Sequence, residues 1–452
     1  MRSPTRMHLG AFLMPSGHHI AGWRLPGSDP AGSIDISHYT RIAQIAERGL
    51  FDMVFIADAV GTTDAELDDP EYPRLLALDP LTALSAMAGA TERVGLVGTA
   101  TTTFAEPFDL ARRFASLDLV SAGRAGWNIV TSFKEADAWQ YGLTEHVDHE
   151  LRYARATEFV EVVTGLWDSW DEDAFPRNTE TGRFFRPGGA RLLEHRGQFF
   201  SVRGPLNVGR SPQGSPVLVQ AGSSPSGVVL GGGVGEVIFT AQADLTAAIA
   251  FNRAVKSTAR ERGRDPRLPL VLPGLLPIVG RTRAEAESAR DRMNALIAPH
   301  SALAALRAAM PGLDDVDALD PHEPMPEVRA EDTAGNGNQS RQAVILADAR
   351  ARGLSVLETA RMVAGTRGHH VVVGTPKDVA DRMEEWFAAG ACDGFNVMAP
   401  VLPGDLETFV ELVVPELQRR GLFRTEYESR TLRGHLGLSH VGRGLDTPAT
   451  TR

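Results

Sequence analysis

The chain has 452 residues, of which 43% are hydrophobic and 23% are charged, as is usual for a globular protein. A formal net charge of −11 without a basic run argues against nucleic acid and anionic membrane surfaces as partners. The single cysteine, Cys392, rules out a disulfide within the chain and fits a reducing compartment. Since no apolar stretch reaches about 18 residues either, we expect a cytoplasmic protein that does not span a membrane.

Short apolar runs alternate with helical patterns along the chain, which is typical of parallel β/α units. Eight of these runs are predicted to be strands: Leu9–Met14, Met53–Ala57, Val94–Ala100, Ala125–Thr131, Pro216–Gln220, Glu236–Thr240, Leu270–Val279 and Gly394–Met398. Eight is the number of strands that closes a (β/α)₈ barrel. The sequence therefore predicts an α/β fold, a TIM barrel, with its functional site at the C-terminal ends of the strands.

The predicted helices have recognisable ends. Ser37 is predicted to be the N-cap of the first helix, and Pro107 takes the first position of a helix that Gly123 terminates. The segment 375–378 (Thr-Pro-Lys-Asp) combines an N-cap, a first-turn proline and an acid. The glycine-rich segment 231–235 lacks the spacing of a dinucleotide-binding loop and precedes a strand, so we predict a turn there.

Two segments exceed what a minimal barrel requires. Residues from about 171 to 215, after the fourth strand, and from about 297 to 368, after the seventh, are predicted insertions. Long insertions are often lids or binding loops, although a decorated surface or an oligomer contact explains them equally well. We treat 1–438 as a single domain and expect a disordered tail at 439–452.

The best candidate for an anion site is the segment Gln220–Gly227. It follows a predicted strand and opens a predicted helix, so free backbone N–H groups and the hydroxyls of Ser223 and Ser224 can converge on a phosphate. Capping of the helix by Ser224 without a ligand is an equally good explanation. His149 and Tyr153 lie four residues apart in a helical pattern and therefore share a face, from which both can donate to phosphate or ribityl oxygens, although a single pair of this kind is more often structural.

No metal site is predicted. The pairs His18-His19 and His369-His370 are adjacent in sequence, and adjacent side chains point apart in a strand instead of chelating one ion. The chain also has neither the Gly-x-Ser-x-Gly elbow of serine hydrolases nor a Walker phosphate loop. Hydrolytic and metal-dependent functions are therefore disfavoured.

The segment Gly123–Ser132 closely resembles the signature of the flavin-dependent monooxygenases related to bacterial luciferase. Within that superfamily it is most similar to the nitrilotriacetate, EDTA and dibenzothiophene-sulfone monooxygenase branch. Other segments resemble the same branch, in the same order, over nearly the whole chain: Gly22–Arg24, Phe55–Asp58, Thr99–Pro107, Arg152–Arg155, Arg203–Asn207, Val219–Ser224, Gly374–Pro376, Asp393–Asn396 and Pro415–Gly421.

This resemblance implies a two-component monooxygenase. Such an enzyme takes reduced FMN from a separate NAD(P)H:flavin reductase and uses molecular oxygen, through a flavin hydroperoxide, to oxygenate a small organic substrate such as an amine, an aminopolycarboxylate or a sulfone. A homodimer or homotetramer is also implied. The alternatives are a deazaflavin-dependent oxidoreductase of the same superfamily and a flavin-binding protein without catalytic turnover.

The resemblance also implies the site residues. The flavin contacts would be Asp58, Thr99, Thr101, Asn128, His149, Tyr153, Ser223 and Ser224. The phosphate would lie at Tyr153 and the two serines, and the ring near Asp58, Thr99 and Asn128. His149 is the candidate catalytic group, because a histidine can hold or pass a proton near neutral pH.

Overall fold

The computed structural model describes residues 6–242, 244–310, 316–326, 345–346, 349–366 and 368–442. The strands in these ranges are β1 (His8–Leu13), β2 (Met53–Ile56), β3 (Gly95–Thr101), β4 (Ala125–Val130), β5 (His195–Arg196), β6 (Ser201–Val202), β7 (Val217–Gln220), β8 (Val237–Thr240), β9 (Leu270–Val279), β10 (His370–Gly374) and β11 (Gly394–Val397).

The helices of the described ranges follow most of the barrel strands. They are α1 (Ile36–Arg48), α2 (Asp64–Leu67), α3 (Pro80–Ala90), α4 (Pro107–Val120), α5 (Glu135–Trp139), α6 (His149–Trp167), α7 (Pro225–Val234), α8 (Leu245–Glu261), α9 (Arg283–Ala295), α10 (Pro299–Ala309), α11 (Val356–Thr366), α12 (Pro376–Ala388), α13 (Gly404–Thr408), α14 (Val414–Arg419) and α15 (Leu432–His435). None of them is long and apolar enough to cross a membrane.

The predicted barrel is confirmed. Parallel pairing runs from β11 through β1, β2, β3, β4, β7 and β8 to β9, and β9 pairs with β11 to close the ring. All eight of these strands coincide with the predicted segments to within about two residues at each end. A ninth parallel strand, β10, which was not predicted from the sequence, pairs with the C-terminal half of β9, from Leu275 to Val279.

The barrel interior is apolar and is closed at its N-terminal end by the C-terminal part of the chain. Inward-facing Phe55, Val97 and Val219 form one buried cluster with Leu432 and Leu436, which lie in and just after α15. Because alternate side chains of a strand face the same side, the polar residues at the other ends of these strands continue the interior face. The open end of the barrel is therefore its C-terminal mouth.

Two predicted helix features need correction. The helix α1 begins at Ile36, and its N-cap is Asp35, whose carboxylate accepts a hydrogen bond from Ser37 N, so Ser37 lies inside the helix. The predicted turn at 231–235 is wrong, because 231–234 form the last turn of α7. Glycine lets this helix approach its neighbours: a Cβ at Gly231 would lie 2.8 Å from Gln220 Oε1.

Two other predicted helix starts are confirmed. The helix α4 begins at Pro107 and ends at Val120, and the positive φ of 87° at Gly123 lies in the turn beyond it. Thr375 and Asp378 form a reciprocal capping box at the start of α12.

The second insertion contributes α10 and α11, which share a buried cluster with Ala21, a residue that follows β1. Ser301 Oγ of α10 also donates to Asp69 Oδ2 in the loop after β2, at 2.6 Å. The insertion therefore packs on loops at the C-terminal mouth. Residues 327–344 of the insertion and 443–452 of the tail lie outside the described residues, so the lid and the disordered tail stay predictions.

Candidate active site

Two adjacent strands bring Thr99 and Asn128 together at the barrel mouth. The two residues are direct partners in the parallel register of β3 and β4. Thr99 Oγ1 donates to Ile56 O at 2.7 Å and accepts from Asn128 Nδ2 at 2.9 Å. Both side chains are buried, and Asn128 Oδ1 has no hydrogen-bond partner among the described residues. A buried carbonyl oxygen of this kind is available to a ligand donor.

Asp58 follows β2 at the same mouth. Its side chain is accessible, yet it is surrounded by enough protein that burial raises its pKa to about 6, with further contributions from the negative charges of Asp79 and Asp137. A carboxyl group with this pKa can change protonation state under mildly acidic conditions, which is a property of many functional groups and of some structural ones.

Thr101 lies two residues beyond Thr99 in β3 and therefore faces the same side of the strand. Its hydroxyl pairs with Ser132 Oγ at 3.0 Å and accepts from Thr103 N at 3.1 Å. The loops after β3 and β4 are therefore joined by side-chain hydroxyls directly above the Thr99–Asn128 pair.

The predicted pairing of His149 and Tyr153 is confirmed. His149 is the first residue of α6, which is capped by Asp148, and the two rings lie 4.9 Å apart between centroids. His149 is exposed and Tyr153 is half-buried. The Tyr153 hydroxyl lies 3.4 Å from Ser224 Oγ, so α6 meets the loop that follows β7 and contains Ser223 and Ser224, here called the serine loop.

The serine loop has the geometry of a helix start. Ser224 is the N-cap of α7 and accepts from Gly227 N at 3.1 Å, so the capping explanation is correct for Ser224. Ser223 is exposed next to it. Pro225 at the first helical position has no N–H, so the donors that capping leaves open at this helix end are Ser226 N–H and the Ser223 hydroxyl, and both remain available to an anion.

A glycine shapes the floor of this loop. A Cβ at Gly222 would overlap Gln220 Nε2, would lie 3.1 Å from Gly227 Cα and would lie 3.3 Å from the Tyr153 hydroxyl. Gln220 itself is buried, and its Oε1 has no partner among the described residues. The close packing of the serine loop against Gln220, α7 and Tyr153 therefore depends on the absence of a side chain at Gly222.

Three further residues organise this site, namely Gln220, Arg152 and Arg155, which lie in segments named in the sequence analysis but were given no role of their own there. Gln220 supports the serine loop from behind. The two arginines extend from α6 to carbonyl oxygens of the loops after β4 and β3. The position of Gln220 at the end of a buried strand could have indicated its role. Arginines on a helix surface are common, so the sequence does not distinguish Arg152 and Arg155 from others.

The adjacent residues His18 and His19 have separate hydrogen-bond partners. His18 Nε2 pairs with Phe12 O at 2.8 Å, whereas His19 Nε2 pairs with Asn294 Oδ1 at 3.2 Å, so the two rings point to different elements. Burial lowers the pKa of His19 to about 4, which keeps it neutral at physiological pH. In the part of the chain that the structure describes, no group of three or more His, Cys, Asp or Glu could hold an ion.

A cavity of about 1210 Å³ lies at the opposite, N-terminal end of the barrel. Basic side chains that line this cavity form ion pairs with acidic ones, as Lys256 does with Asp393 and Arg433 with Glu236. None of the candidate residues contributes to its wall. Since the active sites of such barrels lie at the C-terminal face, the mouth is the better candidate.

The residues at the mouth fit a flavin mononucleotide. The unpartnered Asn128 Oδ1 and the Thr99 hydroxyl offer hydrogen-bonding groups to a polar ring edge at the strand ends. The Tyr153 and Ser223 hydroxyls and the N-terminus of α7 offer donors to a phosphate. A long ligand with a polar ring at one end and a phosphate at the other would use both sets.

Comparison with known proteins agrees with this geometry. The family model for luciferase-like monooxygenase matches residues 14–393. N-acetyl-S-(2-succino)cysteine monooxygenase of Bacillus subtilis is 46% identical over 96% of this chain and 97% of its own length. Nitrilotriacetate monooxygenase component A of Aminobacter aminovorans is 42% identical over 99% of this chain and 100% of its own length.

A solved structure of a riboflavin lyase, with a modified FMN and its substrate riboflavin, superimposes with a TM-score of 0.83 at 31% identity, and the match covers 96% of each chain. This neighbour has the same barrel fold. The matches to the two monooxygenases named above extend over nearly the full length of those proteins. The chain therefore belongs to the luciferase-like monooxygenase family and is an oxygenase enzyme.

Proposed function

We propose that this protein is the oxygenase component of a two-component system that uses reduced FMN and molecular oxygen. The observation that carries the proposal is the occurrence, at one barrel mouth, of the Thr99–Asn128 pair and of the Tyr153 and Ser223 hydroxyls beside the N-terminus of α7. Bound reduced FMN would supply the electrons with which one oxygen atom of O₂ enters the substrate and the other leaves as water.

The chain's own residues would bind and orient this cofactor. Tyr153, Ser223 and the N-terminus of α7 would bind the phosphate, with Ser224 holding the helix start in place. Thr99 and Asn128 would orient the ring, with Thr101 and Asp58 beside it. His149, exposed at the start of α6, would hold or pass a proton. The packed insertion would limit the access of water.

The partners belong to the same proposal. A relative that is named component A supports a separate NAD(P)H:flavin reductase as the source of reduced FMN. The substrate would be a small organic molecule, such as an amine, an aminopolycarboxylate or a sulfone. We further propose that residues 1–438 act as a single cytoplasmic catalytic domain, assembled as a homodimer or homotetramer.

The test is an anaerobic titration of the full-length protein with reduced FMN, followed by mixing with oxygenated buffer containing a probe substrate. Nitrilotriacetate and N-acetyl-S-(2-succino)cysteine are the first probes, because the two relatives are named for them. We expect saturable FMN binding and a product that carries one atom from ¹⁸O₂. Binding of a deazaflavin in preference to FMN, or tight FMN binding without oxygenated product from a broad substrate panel, would contradict the proposal.

A variant separates the role of His149 from FMN binding. His149→Gln keeps a hydrogen-bonding side chain but removes the titratable ring. If His149 holds a proton during turnover, the pH profile of kcat should lose one of its limbs while FMN affinity changes little. An unchanged pH profile would remove the catalytic role and leave His149 as a binding residue.

A further inference from the structure

The helix α6 presents two different sets of side chains at the mouth. Tyr153 meets the serine loop through its hydroxyl. Arg152 and Arg155, which flank Tyr153 in sequence, contact main-chain oxygens of the two strand-end loops instead. The helix therefore contacts both ends of the proposed cofactor site. Tyr153 makes the contact at the phosphate end, and the two arginines make the contacts at the ring end.

Arg152 binds the segment that continues directly from β4. Its Nη1 donates to Ser132 O and lies 3.5 Å from Thr131 O. Ser132 has a positive φ of 51°, an uncommon conformation for serine, and its hydroxyl pairs with Thr101 Oγ1. Arg152 therefore holds a constrained turn that begins only three residues after Asn128.

Arg155 binds the corresponding loop after β3. Its Nε and Nη2 donate to Thr103 O at 3.3 Å and Ala105 O at 3.1 Å, and its guanidinium lies 4.4 Å from the centre of the Phe200 ring. A second hydroxyl contact, from Thr103 Oγ1 to Thr131 O at 2.6 Å, joins the two loops. The loops and α6 consequently form one hydrogen-bonded unit.

The physical consequence concerns a ligand that is bound at both ends. When two binding groups are joined, the gain over separate binding depends on an effective concentration, which falls when the two subsites are not held at the right separation. Hydrogen bonds from a charged donor are among the stronger ones, so a guanidinium between α6 and the β4 loop can fix that separation.

We propose that Arg152 is a positioning residue that fixes the distance between the ring subsite at Thr99 and Asn128 and the phosphate subsite at Tyr153 and Ser223. It acts on FMN through the Ser132 turn and does not itself bind the phosphate. This inference rests on the proposed function, since it assumes that FMN occupies both subsites.

The experiment compares three ligands on the full-length protein. Dissociation constants are measured for FMN, for riboflavin, which lacks the phosphate, and for inorganic phosphate as a competitor of FMN. The product of the riboflavin and phosphate constants divided by the FMN constant gives the effective concentration. In Arg152→Gln we expect this quantity to fall by about tenfold or more, while the riboflavin and phosphate constants each stay within about twofold.

Two variants control the comparison. Arg152→Lys keeps the positive charge but lacks the planar fork, so we expect an effective concentration closer to that of Arg152→Gln than to that of the wild type. It also serves as the test variant if Arg152→Gln fails to fold. Arg113→Gln removes an exposed arginine of α4 that pairs with Asp109 and should leave all three constants unchanged.

The outcomes separate the two proposals. If the wild-type protein does not bind FMN, the proposed function fails, and this inference fails with it. If the wild-type protein binds FMN and Arg152→Gln lowers the affinity for inorganic phosphate, Arg152 is a phosphate ligand and the positioning role is wrong. A parallel loss of all three affinities, or no change in any of them, would likewise overturn it.

Discussion

The Thr99 hydroxyl satisfies two buried groups on two neighbouring strands at once. It donates to Ile56 O and accepts from Asn128 Nδ2. Thr99→Val keeps the shape but leaves both groups without a partner, and an unsatisfied buried group costs about 1–3 kcal/mol. We expect the free energy of unfolding to fall by about 2 kcal/mol in urea denaturation. Thr99→Ser, which keeps the hydroxyl, is the control, and a valine variant as stable as wild type would contradict the role.

Asp58 should make stability depend on pH. Its pKa in the folded protein is raised from 3.8 to about 6, mainly by burial, so the folded state binds the proton more tightly than the unfolded state. The contribution to stability is present below the unfolded pKa and is lost as pH rises through about 6. Asp58→Asn should therefore raise the Tm relative to wild type at about pH 8, with the difference vanishing near about pH 4.

The difference in Tm between wild type and Asp58→Asn, measured across that range, is the readout. Glu145→Gln, at an exposed acid of the loop before α6, should reproduce the wild-type profile. A constant difference between Asp58→Asn and wild type at all pH values would show that the amide changes packing instead of removing a titration.

At the scale of elements, two glycines of the β7–α7 unit differ in what an added side chain would contact. A Cβ at Gly222 would overlap Gln220 Nε2 and approach the Tyr153 hydroxyl, whereas one at Gly233 would meet only the flexible end of Arg262. Gly222→Ala should lower FMN affinity by about tenfold, because the added methyl group would displace Gln220 and the Tyr153 hydroxyl from their places at the proposed phosphate site. Gly233→Ala should stabilise the helix by up to about 1 kcal/mol with FMN affinity unchanged. Fluorescence titration with FMN measures the affinity of each variant. Equal FMN affinity in the two variants would contradict the role of Gly222 at the phosphate site.

Much of this element structure could be predicted because periodicity and helix ends are local properties. The eight barrel strands are apolar runs flanked by glycine or polar residues, and Pro107 and Thr375 mark helix starts by their own chemistry. The strand β10 was missed because its three consecutive valines lie between a histidine pair and a helix cap, next to a long insertion. The turn predicted at 231–235 failed because close packing overrides the low helix propensity of glycine.

The candidate site was predictable to a different extent. His149, Tyr153 and the serine loop follow from spacing and from a resemblance to known enzymes, and in the structure Tyr153 lies beside both His149 and Ser224. The roles of Arg152 and Gln220 depend on which carbonyl or loop lies opposite them. Such contacts join residues far apart in sequence, so no local pattern encodes them.

At the scale of the whole molecule, the two ends of the barrel are closed by different parts of the chain. The second insertion packs on the loops after β1 and β2 at the mouth. The C-terminal segment covers the other end, where Arg424 pairs with the buried Asp52 and Tyr427 Oη donates to Phe51 O at 2.8 Å. The first strands and the last helix are therefore interdependent in the folded state.

Leu432 tests that interdependence. It is fully buried in the barrel cluster, and a Cβ at Gly95 would overlap its Cδ1, so the early strands leave room for this late side chain. Leu432→Ala should lower the free energy of unfolding by about 3 kcal/mol, the sum of lost burial and a residual cavity. Leu119→Ala, on the exposed face of α4, should cost less than about 0.5 kcal/mol. Denaturant unfolding compares the two. If Leu432→Ala is as mild as Leu119→Ala, the C-terminal segment only covers the barrel; a large loss in a single transition means that α15 is part of its core.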